Sequence, residues 1–166
     1  MKKIVTLMLA LMFFKQVSGQ EVKVDYFVRL PHVVNYNFTN ETASYSPIIS
    51  SGLTIKMGNY FADVGAYIDE GDSYGYYTYL GSPVYSKAID QQWTFVTNWF
   101  SEILFFPQQA ELPDSWTYTF GISPVLVRPI SFSTFAIALT VGAGFNEHTT
   151  SVNTRLIINY SIPLIK

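Results

Sequence analysis

The chain has 166 residues and no cysteine, and its charged side chains (13%) are outnumbered by aromatic ones (17%). Charge this sparse, against about 25% in a typical soluble domain, leaves little to cover a water-facing surface. The missing cysteines exclude a disulfide framework, a thiolate metal site and a lipidated cysteine, and the net charge of −2 gives no basic stripe for nucleic acid.

Met1-Lys2-Lys3 precedes an apolar run from Ile4 to Phe14, then Lys15-Gln16-Val17-Ser18-Gly19. A basic start, a short apolar core and small residues before a cut describe a secretory signal peptide. The run is too short for a membrane helix, which needs about 20 residues. Cleavage after Gly19 is expected, leaving residues 20–166 as a single domain. Without Lys2, Lys3 and Lys15, seven basic residues face twelve acidic ones, a net charge of −5.

From there the chain alternates. Successive side chains on a strand point to opposite faces, so a period of two predicts strand. The first run, Val22 to Phe38, carries Val22, Val24, Tyr26, Val28 and Leu30 on one face and Lys23, Asp25, Phe27 and Arg29 on the other, with Pro31 predicting a bulge. After a polar loop from Thr39 to Ser44, the second run, Tyr45 to Met57, sets Ile49, Leu53 and Ile55 against Ser50, Gly52, Thr54 and Lys56. Gly58-Asn59 turns into the third, Tyr60 to Asp69, where Ala62, Val64, Ala66 and Ile68 oppose Asp63, Gly65 and Tyr67. The loop Asp69-Glu70-Gly71-Asp72-Ser73 leads to a fourth run, Tyr74 to Tyr85, with aromatics on both parities. The link Ser86 to Asp90 leads to the fifth, Gln92 to Phe106, with Trp93, Phe95, Trp99, Ile103 and Phe105 opposite Thr94, Asn98 and Glu102.

A loop from Pro107 to Ser115 precedes the sixth run, in which Trp116, Tyr118, Phe120, Ile122 and Leu126 oppose Thr117, Thr119, Gly121 and Ser123; Pro124 marks an irregularity. Arg128-Pro129 reads as the next turn. The seventh run, Phe132 to Phe145, shows the pattern most plainly: Phe135, Ile137, Leu139, Val141 and Phe145 against Thr134, Ala136, Ala138, Thr140, Gly142 and Gly144. Beyond the loop Asn146 to Ser151, the eighth run sets Val152, Thr154, Leu156, Ile158 and Tyr160 against Asn153, Arg155, Asn159 and Ser161.

A large apolar face suits a bilayer and a small polar face suits a narrow lumen, so the expected fold is all-β, an eight-stranded antiparallel up-and-down transmembrane β-barrel. Links one, three, five and seven are the polar and mostly long ones. With both termini periplasmic, they all fall outside the cell.

The inward faces then collect Asp25, Asp63 and Glu102 with Lys23, Arg29, Lys56 and Arg155. Charges inside a barrel are costly unless paired or wet, which predicts a lumen network tying strands one, two, three, five and eight and filling the bore. The outer loops carry Glu41, Asp69, Glu70, Asp72, Glu111, Asp114 and Glu147. Asp69, Glu70 and Asp72 offer hard oxygen ligands to calcium or magnesium, without the spacing of an EF-hand loop. No cofactor motif is present.

Of the two histidines, His148 lies in Asn146-Glu147-His148-Thr149-Thr150 on the last outer loop, and His32 shares the apolar parity of the first run. Barrel enzymes that deacylate lipid A place Ser two residues after a catalytic His; Thr150 stands there here. The expectation is a protein that is not an enzyme.

The signal peptide, eight alternating runs and aromatic strand ends resemble the small outer-membrane β-barrel proteins of the OmpA/OmpX type. That resemblance implies an outer-membrane location, lipopolysaccharide and the barrel-insertion machinery as partners, and roles in adhesion, envelope integrity or surface interaction. Members typically end on an aromatic residue, whereas this sequence ends Ile162-Pro163-Leu164-Ile165-Lys166. Two alternatives share the alternation: a soluble secreted lipocalin-like barrel holding an apolar ligand, and a lipid-A-modifying barrel enzyme around His148.

Overall fold

The computed structural model describes residues 21–69, 74–106, 115–146 and 150–165. They form eight strands: β1 Val22–Asn37, β2 Thr42–Met57, β3 Tyr60–Asp69, β4 Tyr74–Ala88, β5 Thr94–Phe106, β6 Ser115–Ile130, β7 Ser133–Phe145 and β8 Thr150–Ile165. Each strand pairs antiparallel with its sequence neighbours, and β8 returns to β1, closing an up-and-down barrel. Closure leaves no strand edge with unpaired backbone groups.

Proline behaves differently from the sequence expectation. Pro31 makes no bulge: from Asp25 to Asn37, β1 keeps one register with both neighbours, and the ladder to β2 simply skips Leu30 and Pro31. A missing N–H donor removes a rung without inserting a residue. The β1 register shift lies instead at Val24/Asp25. Pro124 likewise leaves a gap between β6 and β7 at constant register. Pro83 does coincide with a bulge, where Val84 is the extra residue, and β4 continues past it to Ala88. Arg128-Pro129 is not the turn: both residues lie in β6, opposite Phe135 and Thr134. The chain reverses at Ser131, which adopts φ 54°, and the Ser133 hydroxyl donates to the Ile130 carbonyl at 2.9 Å. The first loop is also shorter than expected, because β2 begins at Thr42 and Glu41 makes the turn at φ 55°.

The stagger sets the width of the barrel. Passing from partner to partner, Asp25 leads to Thr54, Asp63, Tyr79, Glu102, Thr119, Gly144, Ser151 and then Asn37. The circuit returns to β1 twelve residues from where it began. At fixed strand number, a larger stagger means more tilted strands and a wider bore.

The two faces have opposite chemistry. Ile49, Val64, Ile122 and Leu139 point outward and are exposed, as are large apolar or aromatic residues on every strand. Inside, Phe27, Tyr67, Tyr77, Tyr79 and Phe100 form the buried cluster. The mixed aromatics of β4 resolve by parity, with Tyr74 and Tyr76 outside and Tyr77 and Tyr79 inside. Most lumen aromatics lie opposite a glycine: Phe27 pairs with Gly52, Phe61 with Gly81, Tyr67 with Gly75, Tyr77 with Gly65 and Phe100 with Gly121. A Cβ on Gly65 would meet the Tyr77 ring at 3.0 Å, and one on Gly81 would meet the Phe61 ring at 2.7 Å. At Gly65, Gly75 and Gly81 glycine therefore supplies the room in which the ring lies against the wall, whereas a Cβ on Gly52 or Gly121 would meet the backbone of the next strand. Tyr79 pairs with carboxylates instead, and its ring stacks between Phe61 (5.7 Å) and Phe100 (5.0 Å).

Candidate functional site in the barrel lumen

The circuit that defines the stagger also carries the acids. Asp25, Asp63 and Glu102 all lie on that one row of paired residues, with Tyr79 between the latter two. The bases lie off the row, so each reaches along or across the bore to a carboxylate. Arg29 on β1 contacts Asp63 on β3 at 2.6 Å, and Arg155 on β8 contacts Glu102 on β5 at 2.6 Å. Lys56 on β2 contacts Asp25 on β1 at 2.5 Å, near the end of the barrel that holds the termini. Lys23 stands apart: it is exposed and pairs at 3.5 Å with Glu21.

Arg29 is the most elaborately held of these groups. Its Nε donates to Asn159 Oδ1 at 2.8 Å, its Nη2 donates to Asp63 Oδ2, and its guanidinium lies 3.9 Å from the centre of the Phe27 ring. A planar cation with donors on its edge can take a carboxylate and an aromatic face together. Asp63 is fully buried, and its second oxygen, Oδ1, meets no hydrogen-bond donor among the described residues. The same holds for Asn35 Oδ1.

Between these groups the bore is open, contrary to the filled lumen expected from eight strands. A cavity of about 410 Å³ runs from Asn37, Ser44, Asn146 and Ser151 at the loop end to Phe61, Asn98 and Val125. Its lining does not reach Asp25 or Lys56. Two features explain it. The twelve-residue stagger widens the barrel, and where β7 meets the cavity it contributes only the small inward residues Ala136 and Ala138. The tyrosines Tyr67, Tyr77 and Tyr79 line the cavity, and sequence reasoning gave them no role. Their signal was present, since each shares the parity of a lumen carboxylate or glycine.

The other expected sites divide differently. Glu70, Asp72, Glu111, Asp114, Glu147 and His148 lie outside the described residues, as does the side chain of Asp69. Among the described residues, no three His, Asp or Glu side chains gather as metal ligands. His32 faces outward, away from the lumen carboxylates, with its ring stacked on Tyr45 at 6.2 Å and Nδ1 2.8 Å from the Tyr45 hydroxyl.

At the terminus end, Asp90 caps the β4–β5 turn by accepting from the backbone N–H groups of Gln92 (2.7 Å) and Trp93 (2.8 Å). Those two bonds hold its carboxyl below the usual carboxylate range. Trp93 packs edge-on against Phe135 and lies 5.6 Å from the Arg128 guanidinium.

No family model matches the chain, and no curated protein does. Among solved structures it is similar to a chain described as "De novo design of transmembrane beta-barrels", at 18% identity and a TM-score of 0.41, covering 82% of this chain and 95% of that one. At that score the likeness carries no argument; the topology described above stands on its own registers.

Proposed function

We propose that this chain is an integral outer-membrane β-barrel of the small OmpA/OmpX-like kind, acting without catalysis at the cell envelope or surface. One observation carries the reading: every one of the eight strands presents exposed large apolar or aromatic side chains on its outward face, while the Arg29–Asp63, Lys56–Asp25 and Arg155–Glu102 pairs face inward. A soluble lipocalin-like barrel would need the reverse, because an apolar patch of this extent on a water-facing protein drives association.

In this reading the signal peptide directs export, the barrel-insertion machinery places the barrel, and lipopolysaccharide surrounds its outer half. The acidic loops meet the divalent cations that bridge lipopolysaccharide or a surface partner, with Asp69, Glu70 and Asp72 as the densest group. The outward, stacked position of His32 supports a non-catalytic role for that histidine.

Electrophoresis of outer-membrane and soluble fractions, boiled and unboiled, tests the proposal. Recovery in the outer membrane with a mobility shift on boiling is expected. Recovery in the soluble fraction would overturn it.

A further inference from the structure

We infer that the lumen cavity is a binding site for a small zwitterion: an α-amino acid with an apolar side chain. The polar groups around the cavity are sorted by wall. Asp63 and Glu102 stand on β3 and β5, with Tyr77 and Tyr79 on β4 between them. Arg29 and Arg155 stand on the adjacent strands β1 and β8, across the bore. One side of the cavity thus offers carboxylate groups, and the other offers guanidinium N–H groups.

An ammonium group fits the first side. Asp63 lines the cavity, and its buried Oδ1 meets no donor among the described residues, so a ligand N–H reaching it would satisfy an atom that is otherwise costly to bury. A carboxylate fits the second side, because a guanidinium has five N–H donors and one carboxylate contact occupies at most two of them. The remaining lining is apolar, with Ile48, Leu104 and Ile157 available to a hydrocarbon side chain. About 410 Å³ falls within the range of small-molecule sites, roughly 300–1,000 Å³. A simple cation would meet the two arginines, and a simple anion the two carboxylates; a ligand carrying both charges meets neither penalty.

The inference rests on the barrel and its lumen, and it does not depend on which membrane or compartment holds them. Isothermal titration calorimetry of the folded protein in detergent micelles tests it with three probes of one skeleton: L-leucine, isoamylamine, which lacks the carboxylate, and 4-methylpentanoate, which lacks the amine. Leucine should bind, with the amine and the acid each weaker by about tenfold or more, the worth of one charged hydrogen-bonding group. Ala138→Leu fills the cavity from β7, across the barrel from β3; it should abolish leucine binding while the boiling shift persists. Asp63→Asn should weaken leucine binding and, by removing one of the two carboxylates that the acid meets and freeing Arg29 from its partner, strengthen that of 4-methylpentanoate. Absence of leucine binding, equal binding of the amine or the acid, or full binding by the folded Ala138→Leu protein would each overturn the proposal. A normal boiling shift without leucine binding would remove this inference and leave the membrane reading in place.

Discussion

Arg29 meets Phe27 with its face and Asp63 and Asn159 with its edge, so its charge is balanced at three points in a site that excludes most solvent. Removing one partner strands the other. Asp63→Ala is expected to destabilise the barrel by about 3–5 kcal/mol, whereas a double replacement, Arg29→Met with Asp63→Leu, should be close to neutral. Urea unfolding midpoints in lipid vesicles distinguish the two, and equal losses would mean that the pair is not acting as a pair. Asp90 is a different kind of acid, exposed and held by two turn amides. Its folded-state pKa is depressed, so its contribution is fully present above the unfolded value near 3.9 and fades as pH falls through the lower folded value. Asp90→Asn should flatten that acid limb in a stability-versus-pH profile, slightly lowering stability at neutral pH and leaving it unchanged in acid.

At the scale of strands, what lies beside each glycine decides whether it tolerates a methyl group. A Cβ on Gly52 would lie 2.6 Å from the Gly65 Cα, a backbone atom with nowhere to go, while one on Gly144 would meet the ends of the Asn153 and Ser151 side chains. Gly52→Ala should therefore cost about 1–3 kcal/mol and Gly144→Ala less, as read from urea midpoints. β7 was legible because its two faces differ so sharply in size, and Tyr60–Asp69 emerges with the bounds the pattern predicts. β6 was misjudged at its end because Pro129 was read as a turn former. Strand ends accept proline, and the reversal used the left-handed Ser131, a conformation that serine does not announce. The bulge at Val84 was equally silent, since it depends on how β4 meets β5.

For the molecule as a whole, the outward face makes a prediction that separates lipid from water. Val64 and Ile122 lie near the middles of β3 and β6 and point outward. Val64→Lys or Ile122→Arg should cost about 2–4 kcal/mol in a bilayer, and a soluble barrel would tolerate either change or gain solubility from it. Unfolding in vesicles supplies the measurement. Parity alone placed Asp25, Arg29, Lys56, Asp63, Glu102 and Arg155 inside, because burial of charge needs only the correct face. The cavity was not legible in the same way. Its width depends on the sum of eight registers, each set by the hairpin that joins two strands, and no local stretch encodes that sum.

The β1–β8 pairing has a consequence for how the barrel comes apart. It joins the two ends of the chain along Val24–Asn37, with Arg29 hydrogen-bonded to Asn159 across it. No hairpin holds that seam, so it is the last contact to form and depends on all seven hairpins already being in place. The reverse step is equally concerted: neither end can fray alone without exposing a row of backbone groups to lipid. Loss of the native state is therefore governed by one high barrier, and, for a barrel held in lipid as proposed, its lifetime is set by the rate at which this single zipper opens.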